Sequence, residues 1–289
     1  MDLRQLEYFR MVCRLNNMTR AAERLHVAQP AISVAIQKLE EELGVLLFER
    51  SQKQFTLTAE GRVFLERAEE LLNKAQDAIL EMHEYRELRK GSLKLGVPPM
   101  IGSFLFPHIF AGFKQLYPSI QLKVIEEGSL AVRKLLEQDE VDLGIVIVSD
   151  PSPLLSIQPI AGGEILLCVS PDHHLSELET IGFENLRDEP FILLKEDTYH
   201  RQIIVSECKQ HGFEPNVLLS SSQIETIRGL VSKGVGISFL LDVIARKDGQ
   251  IHCLHLADPI HITIGLAWKK DRYLSKAAQS FVDFMKTLA

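Results

Sequence analysis

Residues 21–61 read AAERLHVAQPAISVAIQKLEEELGVLLFERSQKQFTLTAEG. The stretch TRAAERL, Thr19 to Leu25, is a short helix with Asn17 or Thr19 placed to cap it, and His26 and Val27 make a tight turn. Gln29 and Pro30 open another helix, AISVAIQKLEEEL, where proline suits the first turn because the amide donor it lacks would be unpaired there anyway. Gly44 ends that helix. Two short helices separated by a turn of this length have the geometry of a DNA-reading pair, whose second helix enters the major groove. Val45 to Leu57 follow with an apolar anchor, a polar tip carrying Arg50 and Lys53, and a β-prone return, which is the outline of a wing.

Upstream, Leu3, Leu6, Phe9, Val12 and Cys13 recur at helical spacing and define a first amphipathic helix, interrupted by Asn16 and Asn17. Downstream, a long helix is expected from about Thr58 to Arg89. Within it Phe64, Ala68, Leu71, Ala75, Ala78, Met82 and Tyr85 fall at alternating steps of four and three, the seam of two helices wound around each other. The competing reading is a helix packed on its own domain; Glu69, Glu70, Lys74, Asp77 and Glu81 on the flanks favour the seam, since they would be poorly buried.

Gly91-Ser92 breaks the helix, and short apolar strands then alternate with helices. Strands are expected at 93–97, 120–127, 141–148, 164–170, 191–194, 216–221 and 236–240, and helices at 103–116, 129–138 and 223–233. Such alternation implies an α/β domain with largely parallel sheets. Two strand groups suggest two lobes, with the chain returning to the first at GLAWK, 265–269, before a C-terminal helix.

The chain of 289 residues is long enough for two or three cores, and 46% hydrophobic with 25% charged residues is an ordinary globular composition. Its net charge of −7 does not advertise a nucleic-acid binder, but residues 1–38 hold six basic groups (Arg4, Arg10, Arg14, Arg20, Arg24, Lys38) against three acidic ones (Asp2, Glu7, Glu23), a local +3. No apolar run approaches a membrane span, and the N-terminus has neither the apolar core nor the cleavage site of a signal peptide, so a cytoplasmic protein without membrane contact is expected. Cys13, Cys168, Cys208 and Cys253 lie far apart with no C-x-x-C pair, which points to reduced thiols, with no metal site or disulfide framework. No cofactor is expected. A nucleophile elbow, a Walker loop, H-E-x-x-H and a dinucleotide fingerprint are all missing, so catalysis is not expected.

The run at 21–61 resembles the signature of LysR-type transcriptional regulators, with Gln29-Pro30, Leu39-Glu40, Leu43-Gly44, Leu47-Phe48, Arg50 and Leu57-Thr58 in the matching places. The likeness continues through FPHIFAGFKQLYPSIQL, VDLGIV and LVSKGVGISFL, and so covers the chain. It implies an N-terminal all-α winged helix-turn-helix at 1–58, a linker and dimerisation helix at 59–90, and at 91–289 an α/β effector domain of two lobes like those of periplasmic binding proteins. Lobe I would take about 91–160 and 266–289, and lobe II about 161–265. The partners implied are double-stranded DNA, a small-molecule effector, further copies of the chain as dimer or tetramer, and RNA polymerase. DNA contacts fall on Gln29, Pro30, Ala31, Ser33 and Gln37 of the reading helix and on Arg50 and Lys53 of the wing. Ala28 stands where many members have a capping Ser, Val34 where many have Arg or Lys, and Glu60 replaces the more usual small residue before Gly61.

For the effector, two loops that open helices draw attention: Pro99, Met100, Ile101, Gly102 and Ser103 in one, Gly128 and Ser129 in the other, with Thr198, His200 and Arg201 expected to close over the cleft. Free backbone N–H groups at those helix starts suggest a small anion, a carboxylate metabolite. Glu126 and Glu127 would instead favour a cation or a hydroxyl-rich ligand if they faced the cleft. A thiol-based redox sensor on the same scaffold is the alternative; Cys208 falls near the second reactive cysteine of the peroxide-responsive branch, but Tyr199 and His200 occupy the neighbourhood of the first.

Overall fold

A computed structural model describes residues 1–49, 56–86, 91–149 and 152–288, with backbone alone at 80 and 83–86. It falls into two compact units, Met1–Arg86 and Glu87–Ala289.

The first unit opens with α1 (Leu3–Leu15), begun by a reciprocal capping box in which the Asp2 carboxylate accepts from Gln5 N–H and the Gln5 side chain accepts from Asp2 N–H. Asn17 caps α2 (Met18–Leu25) by accepting from Arg20 N–H at 3.0 Å, and His26 closes it in the left-handed region. α3 (Gln29–Leu43) presents Ile32, Ile36 and Leu39 inward at steps of four and three, against Leu6, Phe9 and Val12 of α1. Its cap, Ala28, offers no side-chain acceptor, and Gly44 ends it at a φ of 71°.

The base of the wing is tied to α3. Glu40 Oε1 accepts from Leu47 N–H at 2.7 Å and from Phe48 N–H at 3.3 Å, and Phe48 bridges antiparallel to Leu57. Arg50 and Lys53 lie outside the described residues. Thr58 then starts α4 (Ala59–Arg86), accepting at Oγ1 from Gly61 N–H and donating to the Leu46 carbonyl. Gly61 has to be glycine, because a Cβ there would stand 2.1 Å from the Leu47 carbonyl oxygen.

The expected seam on α4 divides. Ala68 is fully buried and the Phe64 ring packs at 5.4 Å on Phe9, so both belong to the core of their own unit, as the competing reading had it. Beyond them Leu71, Ala78 and Met82 are exposed and Ala75 half-buried, while the side chain of Tyr85 lies outside the described set. The cause is the 3.6-residue turn: a strict heptad stripe drifts around a straight helix, so its early members face α1 and its later ones do not.

The second unit is built on a mixed sheet. β1 (Ser92–Val97) pairs in parallel with β2 (Gln121–Glu126) and β3 (Leu143–Ile147). α5 (Pro99–Phe104), α6 (Phe106–Leu116) and α7 (Ser129–Glu137) connect or flank these strands; the single helix expected at 103–116 therefore starts earlier and breaks at Leu105. Two long strands carry the chain out and back. β4 (Leu155–Val169) pairs antiparallel along its length with the later β10 (Ile260–Lys269), and β10 also pairs with β3.

The remaining strands lie beyond β4 in the chain. In chain order these are β5 (Thr180–Ile181), β6 (Pro190–Leu194), β7 (Asn216–Ser221), β8 (Ser238–Leu241) and β9 (His252–Leu256). β8 and β9 pair antiparallel with β4, β5 pairs with β9, and β6 with β7 in parallel. The expectation of largely parallel sheets is thus corrected: parallel pairs lie toward the edges, and the crossing strands are antiparallel. α8 (Tyr199–Gln210), α9 (Ile224–Ser232), α10 (Asp242–Ala245) and α11 (Lys276–Lys286) complete the unit. Among the described residues no helix is long and apolar enough to cross a membrane.

The uncapped start of α3 yields a direct test. Ala28→Ser supplies an acceptor to an unpaired N–H of the first turn and is expected to stabilise the first unit by about 0.5–2 kcal/mol. A raised melting midpoint in thermal denaturation checks it, and an unchanged midpoint speaks against a capping role.

Candidate functional site

The face of α3 opposite its buried stripe presents Gln29, Pro30, Ala31, Val34, Gln37 and Lys38 to solvent, with Ser33 half-buried between them. Gln37 donates to Glu41 at 3.0 Å, and Gln29 lies 3.7 Å from the Met18 sulfur, so both amides are held over the helix surface. Arg20 and Arg24 of α2 are exposed as well, giving the first unit a local positive field of the kind phosphates require. Val34, 51% exposed, puts an apolar side chain in the middle of this face, where it can meet a thymine methyl but cannot donate a hydrogen bond.

In the second unit a cavity of about 580 Å³ lies between the two ends of the crossing strands. One wall comes from the β1–α5 loop and the start of α5 (Pro98 to Ser103) and from Glu126 to Ser129 at the start of α7. The other comes from Leu194, Lys195, Asp197, Thr198 and His200 around the start of α8 and from Ser222 to Glu225 around the start of α9. Hydrogen bonds tie the walls together at the start of α7. Asp197 of the second wall accepts Gly128 N–H on its carboxylate at 3.0 Å and Leu130 N–H on its backbone oxygen at 3.1 Å, while Ser129 Oγ accepts Tyr199 N–H at 3.0 Å. The approach is close enough that a Cβ on Gly128 would stand 2.3 Å from the Asp197 backbone oxygen. The N-terminus of α7, where an external anion was expected, is thus already served by an internal carboxylate.

His200 is only 2% exposed, borders the cavity, and finds no hydrogen-bond partner for either ring nitrogen. Burial alone pushes its pKa down to about 4, so the ring is neutral near pH 7 and offers one donor and one acceptor. Among the carboxylates, Asp197 is bound to Gly128, and Glu225 sits 3.1 Å from Lys247 and 3.9 Å from Arg228. Glu126, Glu127 and Lys195 are exposed and form no ion pair among the described residues, which leaves the cavity with an acidic excess.

Known proteins share both parts of this arrangement. Residues 86–289 match the LysR substrate binding domain, and residues 3–62 match the bacterial regulatory helix-turn-helix protein of the lysR family. The chain belongs to the LysR family of transcriptional regulators. It is 35% identical to the HTH-type transcriptional regulator YwbI of Bacillus subtilis (strain 168), over 99% of this chain and 96% of that protein. A full-length OxyR variant from Pseudomonas aeruginosa superposes with a TM-score of 0.64 at 29% identity, over 99% of this chain and 95% of that one. HinK, a LysR-family regulator from Pseudomonas aeruginosa, does so with 0.59 at 28%, over 100% and 99%.

For this LysR-family chain, Pro99, Met100, Ile101, Gly102, Ser103, Gly128, Ser129, Thr198 and His200 all come together on the cavity wall. Arg201 does not: its guanidinium donates to the Leu194 carbonyl at 3.0 Å and to Ser220 Oγ at 2.7 Å, bracing β6 against β7. Two hydroxyls are also less free than expected, since Ser103 donates to the Met100 carbonyl and Thr198 to the Lys195 carbonyl. Sequence reasoning missed Lys195, Asp197, Ser222, Gln223, Ile224 and Glu225 on the wall. The polar run SSSQIET at 220–226, which leads into α9 without a side-chain cap, could have flagged the last four as another helix start. One group among the described residues, His173, His174 and Glu189, brings three possible metal ligands within 4.8 Å. His173 Nδ1 accepts from Leu175 N–H at 3.3 Å, so its proton sits on Nε2, 3.4 Å from Glu189, and the group satisfies itself by hydrogen bonding.

The buried ring sets a pH dependence. His200 has a folded pKa near 4 against 6.5 when unfolded, so the unfolded chain binds the extra proton and stability falls as pH drops from 6.5 toward 4. The loss reaches about 3 kcal/mol at most. Denaturant melts at pH 7 and pH 4.5 should show this component in the wild type and its disappearance in His200→Gln.

Proposed function

We propose that this LysR-family regulator reads duplex DNA through α3 and its wing as a homo-oligomer in the cytoplasm, and that a small molecule held in the cavity of the second unit modulates that binding. The observation that carries the effector reading is His200. A buried imidazole with two unpaired nitrogens costs about 1–3 kcal/mol of lost hydrogen bonding, which a ligand supplying an acceptor and a donor would restore. A cavity of about 580 Å³ in which apolar side chains such as Met100, Ile101 and Leu194 alternate with convergent polar groups is a common form of metabolite site.

The lining shifts the expected chemistry of that ligand. Glu126 and Glu127 border the cavity without a counter-ion, and the start of α7 is taken by Asp197, so a carboxylate would meet repulsion where it was expected to find N–H donors. The reading favoured by these residues is a donor-rich effector carrying hydroxyl or ammonium groups. Thermal-shift measurements on the full chain with a panel of polyols, amines and carboxylates test this. Stabilisation by polyols or amines, reduced by His200→Gln, is expected; stabilisation confined to carboxylates would overturn it. Because linkage is reciprocal, the stabilising compound should also change the affinity for DNA.

For the DNA side, the proposed contacts are Gln29, Pro30, Ala31, Ser33 and Gln37, with Arg50 and Lys53 of the wing. Two-fold pairing of reading heads demands mirrored half-sites, and exposed Leu71, Ala78 and Met82 on α4 give a second copy an apolar stripe to cover. Gln29→Ala or Ser33→Ala is expected to cost about 1–3 kcal/mol against the specific site, while affinity falls steeply with salt. Retardation assays across a salt series read both effects, and binding indifferent to salt and to both substitutions would sink the assignment.

A further inference from the structure

Cys168 and Cys253, distant in the chain, are direct partners across the antiparallel β4–β9 ladder, between the pairs Leu167 with Leu254 and Val169 with His252. Directly opposed residues of such a ladder point to the same face and have Cα atoms about 4.5–5.5 Å apart. That range lies inside the roughly 4.4–6.8 Å a disulfide spans. The Cys168 thiol donates to the Leu166 carbonyl oxygen at 3.7 Å.

The two thiols differ in surroundings. Cys168 is fully buried, whereas Cys253 is half-buried. Around Cys253 stand Arg246 and Arg228, together with His255, which lies 3.0 Å from Arg246 and 2.8 Å from Glu164. Arg228 is itself held by the Ile244 carbonyl and Asp248. The neighbouring Cys168 thiol and the Arg246 and Arg228 guanidiniums bring the Cys253 thiol below the usual range, while burial pushes Cys13 and Cys208 up to about 12. Of the four thiols, then, one is accessible and activated, and a second waits beside it.

From this arrangement we infer that Cys168 and Cys253 form a reversible disulfide when the protein meets a hydroperoxide. The Cys253 thiolate attacks one peroxide oxygen: an S–O bond forms, the O–O bond breaks, and hydroxide leaves and takes up a proton as water. Cys168 then attacks the Cys253 sulfenic sulfur: the S–S bond forms, the S–O bond breaks, and a second water departs with the Cys168 proton. Two thiols and one hydrogen peroxide thus become one disulfide and two waters, and a dithiol reverses the change. The site is separate from the cavity and does not involve the segment at Tyr199 to Cys208.

The test uses the full chain, fully reduced, treated with hydrogen peroxide, then denatured and alkylated before digestion without reductant. Thiol titration should fall by two per chain, and mass spectrometry should show the peptides containing Cys168 and Cys253 linked, with dithiothreitol restoring both. Cys253→Ser should abolish the link, whereas Cys208→Ser should leave it intact. Persistence of both thiols, oxidation of Cys253 alone to sulfinic acid, or a link that joins two chains would each overturn the inference. Since peptide mapping of the wild type is decisive by itself, poor folding of a variant does not blunt the test.

Discussion

The antiparallel pairing of β4 with β10, from Ile260 against Ile165 to Lys269 against Leu155, is the constraint from which the second unit follows. At one end β10 passes its hydrogen bonds on to β3, and through β3 to β1 and β2; at the other, β4 receives β8 and β9. Among the described residues the two groups of strands, β6 and β7 apart, therefore share one sheet of eight strands rather than forming two domains on a string. Helix starts from both groups point at the space beside the crossing, which is why the cavity forms there. The bulge between Ile264 and Gly265, facing Pro159 and Ala161, is where this ribbon departs from regular pairing.

The first unit is held by shorter-range means. Leu6, Phe9, Val12, Ile32, Ile36 and Leu39 are buried almost completely, each large side chain contributing roughly 1.5–3 kcal/mol. Glu40 acts differently, because its carboxylate accepts from the Leu47 and Phe48 N–H groups and so fixes where the wing leaves the reading helix. With Gly61 pressed on the Leu47 carbonyl, the same short segment is clamped from both sides, which ties the reading helix, the wing base and α4 together.

Legibility followed locality. Helix ends in the first unit could be read because Asn17, Pro30 and Gly44 act on their own neighbours, whatever the rest of the chain does. The length of β4 could not, because Pro159, Gly162 and Gly163 interrupt its apolar pattern and only the partner strand keeps it extended. Short β9 was missed for a similar reason: His252 and His255 mask an alternation that becomes plain only beside β4. The cavity loops were visible as helix starts, but not the carboxylate of Asp197 that arrives from far along the chain, nor the withdrawal of Arg201 toward Ser220. Cysteine spacing hid the opposition of Cys168 and Cys253, which register alone creates.

The contact of Asp197 with the start of α7 means that the cavity carries its own competitor. A ligand that needs those N–H groups must first displace a carboxylate tethered at high effective concentration, so its apparent dissociation constant is the intrinsic one divided by the fraction of molecules in which the contact is undone. A substitution at Asp197 that removes the carboxylate frees those N–H groups and lowers the concentration at which such a ligand registers. The concentration at which a signal registers is then set in part by a contact internal to the fold.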